Sequence, residues 1–176
     1  MLKYQQVRPA ANVLGRMLAE VIAGLEPSWA ESNVLVVPVP LFPAKLRRRG
    51  FNQAELIACM ALKLSPSRER YSLCCEVLER SRDTQSQIGL TRHQRRQNLR
   101  GAFRIKNREK VSGREILLVD DVFTTGTTAS ECARVLRRAG AARVWVATVA
   151  RTLKADVQGV RFKPEEDTSM TMAAHG

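Results

Sequence analysis

Apolar residues in this chain follow two spacings, and their alternation sets the expected fold. Val13, Leu14, Met17, Leu18, Val21, Ile22 and Leu25 recur at helical intervals, the stripe of an amphipathic helix that stops before Pro27. The same spacing puts Leu56, Ile57, Met60, Ala61 and Leu64 on one face of a second helix, and Ala129, Cys132, Ala133 and Leu136 on one face of a third. Val34 to Val39 and Ile116 to Val119 are instead unbroken apolar runs, and Val144 to Val149 alternates apolar and small residues. Short runs of this kind suit strands covered on both faces, as in a parallel sheet. Glu76 to Leu78 reads as a further short strand. Strands alternating with helices predict an α/β fold, a parallel sheet flanked by helices.

Caps and breakers mark the joints. Pro38 and Pro40 close the first strand, because proline cannot donate to a ladder. Asn52 is a good N-cap with Glu55 three residues on, which predicts a capping box, and Thr91 with Gln94 predicts a second cap. Arg134, Arg137 and Arg138 close the third helix, and Gly140 suits a left-handed stop. Residues 80–98 have no sustained apolar run and Gly89 interrupts them; long polar segments of this sort inside a domain are functional or disordered. The pattern ends near residue 153, so 1–153 reads as one domain and 154–176 as a largely disordered tail.

Composition narrows the setting. The chain has 176 residues, enough for one domain with a real core, and no apolar run of membrane length. Arg16 and Glu20 interrupt the first apolar stripe and no cleavage pattern follows, so the reading is a cytoplasmic protein. Cys59, Cys74, Cys75 and Cys132 lack the spacing of a zinc site. The net charge of +12 is high. It concentrates at Lys45, Arg47, Arg48 and Arg49, and again at Arg92, Arg95, Arg96, Arg100 and Arg104. Such clusters hold a polyanionic small molecule or a nucleic acid equally well. Only Phe51 and Phe103 interleave with them, few for a single-strand stacking platform.

The densest chemistry lies in Glu115-Ile-Leu-Leu-Val-Asp-Asp-Val-Phe-Thr-Thr-Gly-Thr-Thr128. An apolar strand leads into two carboxylates, Asp120 and Asp121, then a hydroxyl loop around Gly126, then a helix. Unpaired amides at a helix start favour an anion, Gly126 lets the backbone come close, and the threonines add donors. Two carboxylates beside a phosphate would repel it, so they need another partner, and sugar hydroxyls suit them. The string reads as a site for a phosphorylated sugar. The plainer alternative is an acidic strand end followed by a threonine-rich cap. Neither a Walker loop nor G-x-G-x-x-G is present.

Ile116 to Thr128 resembles the phosphoribosyl pyrophosphate signature of type I phosphoribosyltransferases. Val37-Pro-Val-Pro-Leu41 with Arg49-Gly-Phe-Asn-Gln53 is similar to the ComF/GntX family. So is Thr84-x-x-Gln87-x-Gly-Leu-x-Arg92 followed by Arg95, Asn98 and Gly101-Ala-Phe103. The resemblance covers residues 1–152. Many ComF-like proteins carry a zinc ribbon ahead of this domain; the sequence begins at what would be the following helix, which implies either a naturally short member or a misplaced start. The resemblance implies a phosphoribosyltransferase-type sheet with a mobile hood loop, contacting pyrophosphate through Arg82, Thr84, Gln87, Arg92 and Arg95. It implies that Asp120 and Asp121 hold the ribose hydroxyls and meet Mg2+ indirectly, through those hydroxyls or water. Thr124, Thr125, Gly126, Thr127 and Thr128 would hold the ribose phosphate. The Val39, Pro40 and Leu41 loop would hold pyrophosphate, with Arg49 and Arg92 taking its charge.

The implied activity is transfer of the phosphoribosyl group to an acceptor, such as a nucleobase, with pyrophosphate release, as in nucleoside metabolism. No residue is an evident general base; His93 is a lone histidine of the kind that usually has no role. The alternative is a non-catalytic phosphoribosyl pyrophosphate-binding protein, or a competence-type accessory of DNA uptake that meets single-stranded DNA or a DNA-uptake protein. Either reading admits a homodimer.

Overall fold

The computed structural model describes residues 7–29, 33–84, 91–151 and 172–173. Its strands in chain order are β1 (Val34–Pro38), β2 (Tyr71–Leu73), β3 (Leu78–Arg80), β4 (Phe103–Ile105), β5 (Glu115–Phe123), β6 (Arg143–Arg151) and β7 (Met172–Ala173). Its helices are α1 (Val7–Leu25), α2 (Pro43–Arg49), α3 (Gln53–Leu64), α4 (Arg92–Leu99) and α5 (Thr127–Arg138). Five strands form one sheet in the order β2–β1–β5–β6–β7, with every neighbouring pair parallel. β3 and β4 form a separate antiparallel pair.

The apolar runs are continuous because both faces of the sheet are covered. Leu35, Val37, Ile116, Leu118, Val144 and Val146 face one way, onto Ala129, Cys132, Ala133 and Leu136 of α5 and onto Leu78, Leu99 and Phe103 beside the small sheet. The alternate residues Val34, Val36, Leu117, Val119 and Ala147 face the other way, onto Leu18 and Ile22 of α1 and Ile57, Ala58 and Ala61 of α3. Val34, Val36, Val37 and 116–119 are all fully buried, each contributing about 1.5–3 kcal/mol. That core fixes the height at which the strands emerge at their carboxyl ends.

Several boundaries depart from the sequence reading, each for a local reason. α1 begins at Val7, ahead of its apolar stripe. β1 ends at Pro38, although Val39 still donates to the Val119 carbonyl at 2.8 Å. The third short strand is Leu78–Arg80 rather than 76–78, because it takes its register from β4: Leu78 opposes Ile105 and Arg80 opposes Phe103. Pro43 to Arg49 carries no apolar periodicity, yet it is a helix, started by Pro43 in its first turn and stopped by Gly50 at φ 86°. Asn52 caps α3 by accepting from the Ala54 amide at 3.1 Å, but no capping box with Glu55 forms. The Glu55 side chain is engaged with the Cys75 thiol instead. The box at Thr91 and Gln94 does form.

Gln87 and Gly89 of the expected hood lie outside the described residues, as does the 153/154 boundary of the expected tail. Within that tail Met172 and Ala173 are described, and they extend the sheet beside Val146 and Ala147.

α1 and α3 pack on one face of the sheet and meet most closely at Gly15. A β-carbon there would lie 2.5 Å from Met60 Cβ. Alanine is the better helix former, but in this place its methyl overpacks the crossing. Gly15→Ala is expected to lower stability by about 1–3 kcal/mol, read as a fall in Tm by thermal unfolding. A rise in Tm would show that the two helices are free to separate.

Candidate functional site

The carboxyl ends of β1 and β5 open into a cleft of about 800 Å³. Its walls include Val39 and Pro40 after β1, Arg48 and Arg49 of α2, Asp120 and Asp121 of β5, and Thr124 and Thr128 around the start of α5. Such crevices at strand ends are where α/β sheets bind ligands. The sequence predicts the acids as a strand end. They lie instead within β5, which runs on to Phe123 and pairs Asp120 with Thr148 and Val122 with Ala150. The side-chain pair is thus held by a paired strand rather than by a loop.

The acids also brace their own backbone. The Asp121 amide donates to Asp120 Oδ1 at 3.0 Å, and the Val122 amide to Asp121 Oδ1 at 2.8 Å. Burial, and then the Asp121 carboxylate beside it, push Asp120 up to about 7. Below the pair, burial holds the Cys132 thiol well above its ordinary value, and the Asp120 charge adds to this. A perturbed carboxylate in a cleft makes Asp120 a candidate for a functional group.

The next residues form the anion end. Gly126 takes φ 71° and stands at the N-cap of α5, where no side chain caps the helix. The first amides of α5 therefore keep their unmet donor capacity at the positive end of the helix. Thr125 and Thr127 share a hydroxyl hydrogen bond at 2.8 Å. A small depression at this point is lined by Asp120, Thr124, Gly126, Thr127 and Thr128. A β-carbon on Gly126 would strike the Phe123 ring at 2.5 Å, so glycine is required by the left-handed backbone and by that contact.

The proline loop is hung between two elements. The Val39 amide is taken by Val119, and its carbonyl accepts from Asn52 Nδ2 at 3.0 Å. Pro40 has no amide. Neither Val39 nor Pro40 therefore keeps a backbone N–H to offer the cleft. Arg49 lines the cleft, donates to Gln53 and lies 5.9 Å above the Phe51 ring, and it is exposed.

Of the hood residues the structure brings some to the site. Thr84 lines the cleft, and so does Arg95, whose guanidinium donates to Thr124 Oγ1 at 3.4 Å. Arg82 is not turned inward: it donates to the carbonyls of Asn98 and Arg100 at 2.8 and 2.9 Å, tying the end of α4 to β3. Arg92 is described as the first residue of α4, and its side chain lies outside the described atoms. His93 is exposed on α4. Lys45, Arg48 and Asn52, from the basic segment and the helix start after it, line the cleft as well, while the sequence reading missed Arg80 and Asp83. For Arg80 and Asp83 no spacing signalled it, since their placement depends on the β3–β4 pairing.

A parallel sheet flanked by helices, with this cleft at its strand ends, is the phosphoribosyltransferase-type fold. The chain belongs to the phosphoribosyl transferase domain family, whose pattern matches residues 57–169, and within it to the ComF-like members. It is 37% identical over 156 residues to the DNA utilization protein YhgH of Escherichia coli O157:H7, covering 86% of this chain and 65% of that protein. It is 37% identical over 117 residues to Competence protein F of Haemophilus influenzae, covering 66% of this chain and 49% of that one. The chain thus spans about two thirds of the length of the first relative. The hypoxanthine phosphoribosyl transferase of Trypanosoma cruzi superposes with a TM-score of 0.50 at 15% identity, covering 93% of this chain and 72% of its own, a likeness of fold. Among the described residues no helix is long and apolar enough to cross a membrane.

The Asp120 environment has a consequence for stability. Its folded value lies above the unfolded value of about 3.9, so the folded chain keeps an extra proton between about pH 4 and 7. Stability therefore falls as pH climbs through that window and levels off above it. Asp120→Asn removes the penalty. It is expected to raise Tm at pH 8 by roughly 5 °C, and to give no gain near pH 4, as read by calorimetry at both values.

Proposed function

We propose that this chain binds phosphoribosyl pyrophosphate and transfers its phosphoribosyl group with release of pyrophosphate. The observation that supports this is one cleft holding a strand-borne carboxylate pair beside an uncapped helix start. Asp120 and Asp121 accept from the ribose hydroxyls, which suits carboxylates that are short of water. The α5 amides and the threonines take the ribose phosphate. Arg49, Lys45 and the Leu41 and Phe42 amides serve the diphosphate.

In the reaction the bond from the anomeric carbon to the diphosphate oxygen breaks, and its electron pair leaves with pyrophosphate. The acceptor's nucleophilic atom supplies the pair for the new bond and loses its proton to water. The sugar passes through an oxocarbenium-like state, so the protein's work is orientation, exclusion of water and stabilisation of the departing charge. A nucleobase is the acceptor class we propose. The carboxylate pair Asp120 and Asp121 fits magnesium as an ion carried on the substrate, since this ion favours phosphate oxygens and water with one or two carboxylates. When bound, such an ion would supply charge neutralisation at the diphosphate, and Asp120 and Asp121 would be the residues to hold it, through the hydroxyls or water.

A second reading has its own observation. Lys45, Arg47, Arg48 and Arg49 are all exposed on α2, more cationic surface than one diphosphate needs. Together with relatives named for DNA utilization and competence, this supports a contact with single-stranded DNA at the rim of the same cleft. Arg47→Ala with Arg48→Ala is expected to weaken DNA binding across sequences and flatten its salt dependence. DNA binding untouched by the pair would remove this reading.

Asp120→Asn combined with Asp121→Asn is expected to abolish binding of phosphoribosyl pyrophosphate while the fold persists, measured by calorimetry and circular dichroism. Unchanged affinity in the folded variant sinks the proposal. Gly126→Val is expected to weaken ribose 5-phosphate itself by about tenfold or more, since it removes close backbone approach; equal affinity would reassign the loop.

A further inference from the structure

Arg80 is a cation of the cleft to which the functional reading gives no task. It ends β3 and lines the same cleft as Asp120. Three features describe its setting. Its side chain is partly buried, whereas Arg48 and Arg49 are exposed on α2. Its guanidinium carbon sits 5.6 Å over the ring of Phe103, the buried residue directly opposite it in the β3–β4 pair. It also lacks a counter-ion: among the described residues it forms no ion pair, though Asp83 and Asp120 both act on it through space. One N–H goes to the Thr84 hydroxyl, and Nε is buried without a partner.

A partly desolvated guanidinium without a counter-ion is unfavourable on its own. Here it is also held rigidly, by a paired strand below and an aromatic ring under its face. Rigid, desolvated charge is the arrangement that binds a complementary charge most strongly. We propose that Arg80 binds an oxyanion of the ligand, namely the diphosphate of phosphoribosyl pyrophosphate. This rests on the reading of the cleft given above and names a partner for the departing charge. The ribose phosphate is a poorer match, because Arg80 is absent from the depression at the α5 start, where amides and hydroxyls already serve an anion. The planar fork of arginine suits two phosphate oxygens at once, which a lysine cannot reproduce.

The test uses the whole chain, titrated separately with inorganic pyrophosphate, ribose 5-phosphate and orotate, whose carboxylate offers the same chemistry on an acceptor. Arg80→Gln is expected to weaken pyrophosphate by about tenfold or more and to leave ribose 5-phosphate within about twofold. Because the contact is desolvated, the ratio of parent to variant should hold between about 0.05 and 0.5 M salt, while the corresponding ratio for Arg49→Ala collapses. If Arg80→Gln does not fold, Arg80→Lys decides the matter, with a loss of about threefold or more expected for the missing fork. Pyrophosphate affinity unchanged in a folded Arg80 variant overturns the proposal, and so does a loss confined to orotate. If ribose 5-phosphate binds and Arg80 proves neutral to pyrophosphate, the cleft reading stands without Arg80. If Arg80 governs pyrophosphate while ribose 5-phosphate does not bind, the oxyanion site stands and the phosphoribosyl reading falls.

Discussion

Two adjacent carboxylates fixed on a paired strand, one of them largely desolvated, are what the rest of this molecule has to support. Asp120 and Asp121 follow four fully buried residues of β5, and that strand is locked between β1 and β6. Neither acid can swing away without breaking a ladder. Burial makes the Asp120 charge costly, as its raised value shows. The two-faced core offsets that cost, and the cleft keeps the resulting unmet acceptors for whatever enters it. A local rule is broken at the site, and consistency elsewhere permits it.

The surrounding positive charge divides into two kinds with different physics. On α2 it is exposed and bathed in salt, so it acts at range, raising the local concentration of anions and steering them in. At Arg80 it is partly desolvated and fixed, so it acts at contact. A bulk figure of +12 cannot separate these roles. The separation arises from one helix left on the surface and one strand paired with β4 so that its last residue lies over Phe103.

Much of this was legible in the sequence because it follows from short-range pattern. The runs at 34–39 and 116–119, the threonine loop with Gly126 and the stop at Gly140 all depend on near neighbours, and the structure has them where the pattern puts them. Other features depend on contacts far along the chain. Arg80 reaches the cleft because it pairs with Phe103, and Arg82 is drawn away by carbonyls at the end of α4. Glu55 looks like half of a capping box but is engaged by Cys75. The helix at Pro43–Arg49 has no apolar stripe to announce it; proline and glycine at its two ends define it. The acids seemed to end a strand because charge usually does, and here two parallel neighbours carry the ladder past them.

One helix joins the parts. The start of α5 carries the bare amides and the threonines, and one turn later Glu131 accepts from the Gly101 amide at 2.8 Å, in the turn that leads into β4. Glu131 is itself clamped by Arg134 through two bonds of 2.8 and 2.7 Å. β4 in turn carries Phe103, on which Arg80 rests. The helix is therefore a shared strut: its tip and the floor under Arg80 belong to one stiff body. Whatever tilts the strut moves both ends together, so the spacing between the two anion-facing ends of the cleft behaves as a fixed gauge rather than an adjustable gap.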